Sequence, residues 1–397
     1  MSIQFSPEDV RRFADWSADR NPLHVDGEFA RQTHFGQQVV HGVLTVLNAL
    51  RAAADTLGPE RVCALDVEFR NAVVMGRPYE AGARREGADR IAQLSSADQL
   101  VLNVRTEVGA AIEPLTAPSP WTPAAGRPER DAPAAHGLDE FSRGLETSGT
   151  YRMRVPVDPV AAGAGLSHTQ ARVLALCSYV TGMEMPGLKS LFTRLSVRFG
   201  PDADDAGELW YHARAVRFDR KFRLLDTELQ VAAPDGRLVA TALLRSYVPF
   251  SPVAVDLDAV AQRVEPAAAR LRKRVALVLG GSRGLGADIT AALALAGCHV
   301  YASARRDDAA RRERFAHLTE RGCAVEFLEG DAGDAAWCES ALTAIQQRHG
   351  RLDVLVLNAC APPTPMRLGR DTAAAREQYV RENLRLVRRL WPSWPRR

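Results

Sequence analysis

The sequence predicts an α+β fold in which an antiparallel sheet wraps around long helices, built twice, followed by part of a doubly wound α/β domain. Three observations carry this. A helix from about Val40 to Leu57 sets Val43, Leu44, Val46, Leu47, Leu50 and Ala54 in a stripe too broad for a surface helix, and Cys63, Leu65, Val67 and Phe69 then alternate along one strand face. The same order returns: a helix of about Ser167 to Thr181 precedes Leu191, Thr193, Leu195, Val197 and Phe199 at period two. The segments Leu65-Asp66-Val67-Glu68-Phe69 and Leu195-Ser196-Val197-Arg198-Phe199 even share the spelling L-x-V-x-F. From Lys273 the texture changes to the apolar strand Arg274-Val275-Ala276-Leu277-Val278-Leu279, a glycine-rich turn and a helix through Ala296.

In chain order, Ser6-Pro7-Glu8-Asp9 starts a helix, with Ser6 as cap, proline at the first helical position and acids facing the positive end of the dipole. It turns Val10, Phe13 and Ala14 inward and stops near Asp19. Pro22 forces a turn, Asp26 caps a short helix through Ala30, Gly36 ends it, and Gly58-Pro59 stops the long helix. Strands are expected near 77–87, 89–95 and 99–107. Residues 111–139 hold six prolines and read as a linker without a core of its own. The first half is thus 1–110, the linker 111–144 and the second half 145–250, with strands at Trp210–Phe218, Phe222–Ala232 and Leu238–Val248.

An alanine-rich connector, 251–272, leads to 273–397. There His299–Ser303, Ala324–Leu328 and Leu352–Leu357 alternate with helices in β-α-β fashion. A partial parallel sheet leaves edges uncovered, so this region is expected to be the least stable.

Bulk properties exclude several function classes. The formal charge is +3, only three of 51 basic residues are lysine, and the arginines are scattered among acids, so no nucleic-acid footprint is present. The six cysteines show neither C-x-x-C spacing nor clustering with histidine, which suits free thiols and gives no metal site. There is no basic-then-apolar leader and no apolar run of about 18 residues. A cytoplasmic enzyme without a membrane span is the expectation.

Chemistry is expected at Asp19-Arg20-Asn21-Pro22-Leu23-His24. An aspartate and a histidine five positions apart, separated by a proline turn and leading into an apolar helix, can converge on one water molecule. Such a pair keeps one basic and one protonated site near neutral pH. Backbone N–H groups at the helix start around Gly42 point at a developing oxyanion. The ordinary alternative is that Asp19 caps a turn and His24 is a surface histidine. His41 and His168, each at a helix N-terminus, are read as structural, and the second half as a wall of the site.

The first half resembles the MaoC-like, (R)-specific enoyl-CoA hydratase family. The resemblance rests on Asp19-x-Asn21-Pro22-Leu23-His24, Ala30, Phe35-Gly36 and Val40-His41-Gly42, and departs at Ala18, where the family usually has glycine. It implies a hot dog fold, a sheet around one long helix, with the second half as the degenerate partner of a double hot dog. It also implies interconversion of 2-enoyl and (R)-3-hydroxyacyl thioesters of CoA or acyl carrier protein. Asp19 and His24 would be acid and base, Gly42, Asn21 and Gly36 the oxyanion and substrate-binding positions, and no cofactor is needed. Whether the chain pairs as a homodimer is left open. A non-catalytic acyl-thioester-binding module is a rival reading.

The C-terminal part resembles the short-chain dehydrogenase/reductase family. Gly280, Gly284 and Gly286 match its glycine turn, with Leu279 in place of threonine, and the glycines would let a pyrophosphate approach a helix N-terminus. Arg283 and Arg305 could receive a 2′-phosphate, favouring NADP; Asp331 fits the adenine-contacting aspartate, Asn358 lies in a variant of N-N-A-G, and Asn383 matches the helix asparagine. This gives a partial Rossmann domain and the alternative of an NADP-dependent 3-oxoacyl thioester reductase. Against it, the family's Tyr-x-x-x-Lys has no counterpart, because no lysine follows Lys273 and the last tyrosine is Tyr379. The end, Arg388 to Arg397, reads as a truncated terminus, with a basic interaction tail as its rival.

Overall fold

The computed structural model describes residues 1–33, 35–58, 60–96, 99–109, 112–152, 154, 159–203, 207–249, 256–305, 309–360 and 373–384. The terminal stretch 385–397 and the side chain of Asn383 lie outside the described residues. The chain forms two units, 1–250 and 251–397.

The first unit runs β1 (Ser2–Gln4), α1 (Pro7–Ser17), α2 (Pro22–Val25), α3 (Gly27–Gln32), α4 (Gly42–Ala52), α5 (Ala54–Leu57), β2 (Arg61–Phe69), β3 (Pro78–Glu86), β4 (Asp89–Ser96) and β5 (Gln99–Gly109). It continues with α6 (Leu138–Ser142), β6 (Glu146–Arg152), α7 (Pro159–Ala162), α8 (His168–Tyr179), a π-helical turn (Val180–Glu184), β7 (Leu191–Phe199), β8 (Glu208–Asp219), β9 (Leu224–Ala232) and β10 (Leu238–Tyr247). Ser6 starts α1 by a reciprocal cap: its hydroxyl accepts from the Asp9 N–H at 3.2 Å while Asp9 Oδ2 accepts from the Ser6 N–H at 2.9 Å. The helix expected from about Val40 to Leu57 is divided at Ala53 into α4 and α5, the expected turn at Pro22 is the short helix α2, the helix expected to reach Thr181 gives way to the π-helical turn at Val180, and the edge strands β1 and β6 are additions that the sequence reading lacked.

The strands join in one antiparallel sheet of ten, in the order β1-β3-β4-β5-β2-β7-β10-β9-β8-β6. Its centre is the β2–β7 pair, where Leu65 faces Val197 and Val67 faces Leu195. The two L-x-V-x-F strands are therefore not merely similar: they pair with each other, which relates the halves by a pseudo-twofold axis. Asp66 is clamped there by the Arg194 guanidinium and, at 3.0 Å, by the Ser196 hydroxyl. The sheet curls over α4 and α8. Val43 to Leu47 on α4, and every residue from Thr169 to Tyr179 on α8, are buried in one core shared by both halves. This is the double hot dog arrangement.

The segment expected to be a coreless linker is instead fixed to the second half. The Arg127 carbonyl accepts from the Thr150 N–H at 2.8 Å, the Arg130 N–H donates to the Tyr179 hydroxyl at 2.8 Å, and Ser119 donates to Glu228. Polar anchoring of this kind has no hydrophobic period and so left no trace in the sequence pattern.

The second unit contains α9 (Leu257–Leu271), β11 (Val275–Leu279), α10 (Gly284–Leu295), β12 (His299–Ala304), α11 (Ala309–Glu320), β13 (Val325–Glu329), α12 (Ala335–His349), β14 (Val354–Leu357) and α13 (Ala373–Asn383). Its four described strands are parallel, in the order β13-β12-β11-β14, as in one half of a Rossmann domain.

Candidate active site

Asp19 sits just after α1, which ends because Ala18 takes a left-handed conformation, φ 56°. A non-glycine residue there costs roughly 1 kcal/mol, which is the physical reason glycine suits this position. The turn aims the Asp19 carboxylate into the protein, where it is 2% exposed. Pro22 opens α2, and Asn21 caps it by accepting the Leu23 N–H at 3.0 Å, which brings His24 back over the turn.

Asp19, His24 and His41 then meet, each offering a ligand atom within 4.8 Å of the others. The His24 and His41 rings stack at 3.9 Å between centroids. His24 Nδ1 lies 2.8 Å from the Val39 carbonyl and must donate to it, which leaves the Nε2 lone pair for chemistry. His41 Nε2 donates to the Asp19 backbone carbonyl at 2.9 Å, so His41 holds the loop. Its neutral packing role agrees with the sequence reading, while its place beside the acid-base pair was not foreseen.

Burial raises the Asp19 carboxyl above its ordinary range, opposed by His24 and by the Ser178 hydrogen bond. Burial lowers the His24 imidazole, opposed by Asp19 and the Val39 contact. Burial and the neighbouring His24 push His41 well below its ordinary value. Burial therefore draws the two partners' values toward each other, with their mutual attraction opposing it. The same carboxylate and two imidazoles are also a donor set that a divalent transition metal accepts.

The second half completes the site. Ser178 on α8 donates to Asp19 Oδ2 at 2.7 Å, and the Tyr151 hydroxyl donates to the Ser17 carbonyl at 3.0 Å. A Cβ on Gly182 would overlap Asp19 Oδ1, so only glycine leaves room for the carboxylate. These contacts give the second half a part the sequence reading lacked: besides any wall it forms, it grips the acid.

Two expected substrate contacts take other duties. Asn21 commits its amide hydrogens to the carbonyls of Gly182, at 2.8 Å, and Gly187, at 3.1 Å, so it rivets the catalytic loop to the second half. Gly36 adopts φ 65° in an open turn, where its freedom is conformational. Gly42 does begin α4, which carries no side-chain cap and so presents its first-turn N–H groups. A Cβ on Gly42 would meet the Phe69 ring at 2.9 Å, so glycine here serves ring packing. His168 opens α8 away from this cluster.

In the second unit, Gly280 has φ 75° and Gly284 φ 50°, and a Cβ on Gly286 would overlap the Gly280 carbonyl. Asn358 donates to that carbonyl at 3.1 Å and so locks β11 to β14. Arg283 precedes α10, whose first turn has no side-chain cap, so its N–H groups form a cradle that fits a pyrophosphate. Arg305 follows β12 at the surface, and Asp331 Oδ1 accepts the Gly333 N–H at 2.8 Å in the turn after β13.

Residues 1–104 match the family model described as MaoC like domain, and residues 274–385 match that described as short chain dehydrogenase. The 3-hydroxybutyryl-CoA dehydratase of Methylorubrum extorquens is 43% identical over 42 residues, covering 11% of this chain and 27% of that protein. The acetoacetyl-CoA reductase of Shinella zoogloeoides is 44% identical over 87 residues, covering 22% of this chain and 34% of that protein. This chain thus spans about a third of the length of one of these curated relatives and about a quarter of the other. A solved structure titled MaoC-like dehydratase aligns with 63% of this chain and 96% of its own, at 14% identity and a TM-score of 0.45.

Proposed function

From the premise that this chain carries a MaoC-like dehydratase domain at its N-terminus and a short-chain dehydrogenase domain at its C-terminus, we propose that the first unit adds water to 2-enoyl thioesters and, in reverse, dehydrates 3-hydroxyacyl thioesters of CoA or acyl carrier protein. The observation that carries this is the convergence of the Asp19 carboxylate with a His24 ring whose tautomer is set by Val39.

In the forward direction a water molecule lies between the two groups. His24 Nε2 takes one proton from it as the oxygen bonds to the β-carbon, and the electron pair of the double bond moves toward the thioester carbonyl. Asp19 orients the water and stays ionised beside the imidazolium. First-turn N–H groups of α4 stabilise the enolate oxygen, and His24 returns its proton to the α-carbon. One water is consumed and no charge is left over.

Hydration run in deuterium oxide tests this: the wild type should deliver deuterium to the α-carbon of the product, and His24→Ala should lower the rate by about a hundredfold or more. An unchanged rate in His24→Ala would remove the histidine from the reaction. For the second unit, Gly280, Gly284, Gly286 and the α10 N-terminus would hold the pyrophosphate of a dinucleotide, with Arg283 and Arg305 on the side of a 2′-phosphate. Between Lys273 and Arg397 no lysine is available to activate a tyrosine, so no reduction step is assigned to this stretch. NADPH binding that weakens in Arg283→Ala and Arg305→Ala, with NADH binding unaffected, would support the NADP assignment.

A further inference from the structure

Three chemically able side chains converge beside α4, and the hydration step uses two of them. The third, His41, donates its Nε2 hydrogen to the Asp19 carbonyl at 2.9 Å, so its Nδ1 carries a lone pair. That nitrogen is fully shielded, in a residue 0% exposed, and has no hydrogen-bond partner among the described residues. Tethering the loop accounts for Nε2 and leaves Nδ1 without a purpose. The two neighbours are prepared in the same way. His24 spends Nδ1 on the Val39 carbonyl and keeps the Nε2 lone pair. Asp19 accepts the Ser178 hydroxyl on Oδ2 at 2.7 Å and the Asn21 N–H on Oδ1 at 3.3 Å, and each oxygen retains a further lone pair. All three groups are thus oriented by an outer hydrogen bond with an electron pair left over, which is how metal ligands are held. Among the described residues no other trio of His, Cys, Asp or Glu side chains brings its ligand atoms this close.

We propose that Asp19, His24 and His41 bind one Zn²⁺ ion and that the bound ion inhibits hydration. The inference rests on the hydratase reading and adds a regulation of the same site. Two imidazoles and a carboxylate form a three-ligand set of the kind zinc takes with one position open, and the nitrogen ligands select against magnesium and calcium. Ligand atoms around a tetrahedral zinc stand roughly 3.3 Å apart, so a set lying within 4.8 Å closes by side-chain rotation. Asp19 and His41 are buried and His24 is partly exposed, so the ion enters past His24. Inhibition follows from the proton path. His24 has to take a proton from water and deliver it to the α-carbon; with Nε2 on the metal it does neither, and a hydroxide in the open position would still leave the α-carbon without an acid. Coordination exchanges water on the ion for three side chains and oxidises nothing.

The test uses Co²⁺ in place of zinc, on the whole chain, because its visible absorption reports the ligands. One equivalent should give the intense visible bands of four-coordinate cobalt without the near-ultraviolet band of a thiolate ligand. Affinity should fall at least about a hundredfold in Asp19→Asn and in His41→Phe, which keeps a ring against Phe13 and His24. Asp19→Asn carries the test should His41→Phe fail to fold. Zinc should displace the cobalt and stop hydration of crotonyl-CoA by the wild type at one ion per chain, and EDTA should restore the rate. No visible band, a thiolate band, or a band that survives Asp19→Asn overturns the site. Hydration that continues undiminished with the metal bound, or that requires it, overturns the inhibition. The two readings fail separately: turnover without metal binding sinks the zinc site alone, and metal binding by a chain that hydrates nothing when metal-free sinks the hydratase and leaves the zinc site.

Discussion

Asp19 lies where a carboxylate is costly, and that cost is measurable. Its folded-state pKa is raised above the ordinary 3.8, so the stability it contributes is present below that value and lost as pH rises through the folded value. Asp19→Asn should therefore be more stable than the wild type at neutral pH, with the gain fading in acid, as thermal unfolding across pH would read. The imidazoles behave oppositely. His24 and His41 titrate below the ordinary 6.5, so their contribution is complete above that value and is lost on acidification. Both kcat/KM for hydration and the thermal midpoint should fall as pH drops below 6.5; a rate that rises into acid would contradict a neutral His24 base. If the cluster works on water alone, a strong chelator leaves hydration unchanged, whereas loss on chelation and recovery with zinc would assign Asp19, His24 and His41 to a metal. Asp19 and His24 could be found in the sequence because they lie five positions apart across a proline turn. Ser178 could not, since it lies 159 positions from Asp19 and a serine in an apolar helix carries no distinguishing pattern.

At the scale of elements, the π-helical turn Val180–Glu184 does what a regular helix could not: its extra residue brings the Gly182 backbone against Asp19 and Asn21. The turn is held by Glu184, 1% exposed, which accepts from the guanidinium groups of Arg127 and Arg130 and from the hydroxyls of Tyr179, at 2.7 Å, and Tyr211, at 3.1 Å. Ser178→Ala should lower hydration roughly ten- to hundredfold, the value of a hydrogen bond to a charged group, and move its acid limb to higher pH because that bond holds the Asp19 carboxyl down. Gly182→Ala should lose more, by displacing the carboxylate. Unchanged rates in both variants would separate the second half from catalysis. The sequence shows one helix running to Thr181 and gives no sign of the turn, because every residue from Thr169 to Glu184 is buried and periodicity cannot mark an inserted residue where no polar face exists.

Across the whole molecule, the catalytic loop and its support come from opposite halves of one sheet, so the first unit should unfold and lose activity together. The repeat was readable because Leu65, Val67, Leu195 and Val197 face the same core from paired strands; the fixing of residues 112–137 by arginines and hydroxyls was not. In the second unit β11 is wholly buried while β14 is half-exposed throughout. Amide exchange should accordingly be faster in β14 than in β2 and β7; equal protection would contradict a weaker second core. The central claim is that Asp19 and His24 hydrate an enoyl thioester, and the direct measurement is the enone absorbance of crotonyl-CoA with the purified wild-type chain and with Asp19→Asn. Decay of the absorbance with the wild type, slowed at least about a hundredfold in Asp19→Asn, is the predicted result; decay at the same rate in both proteins would contradict it.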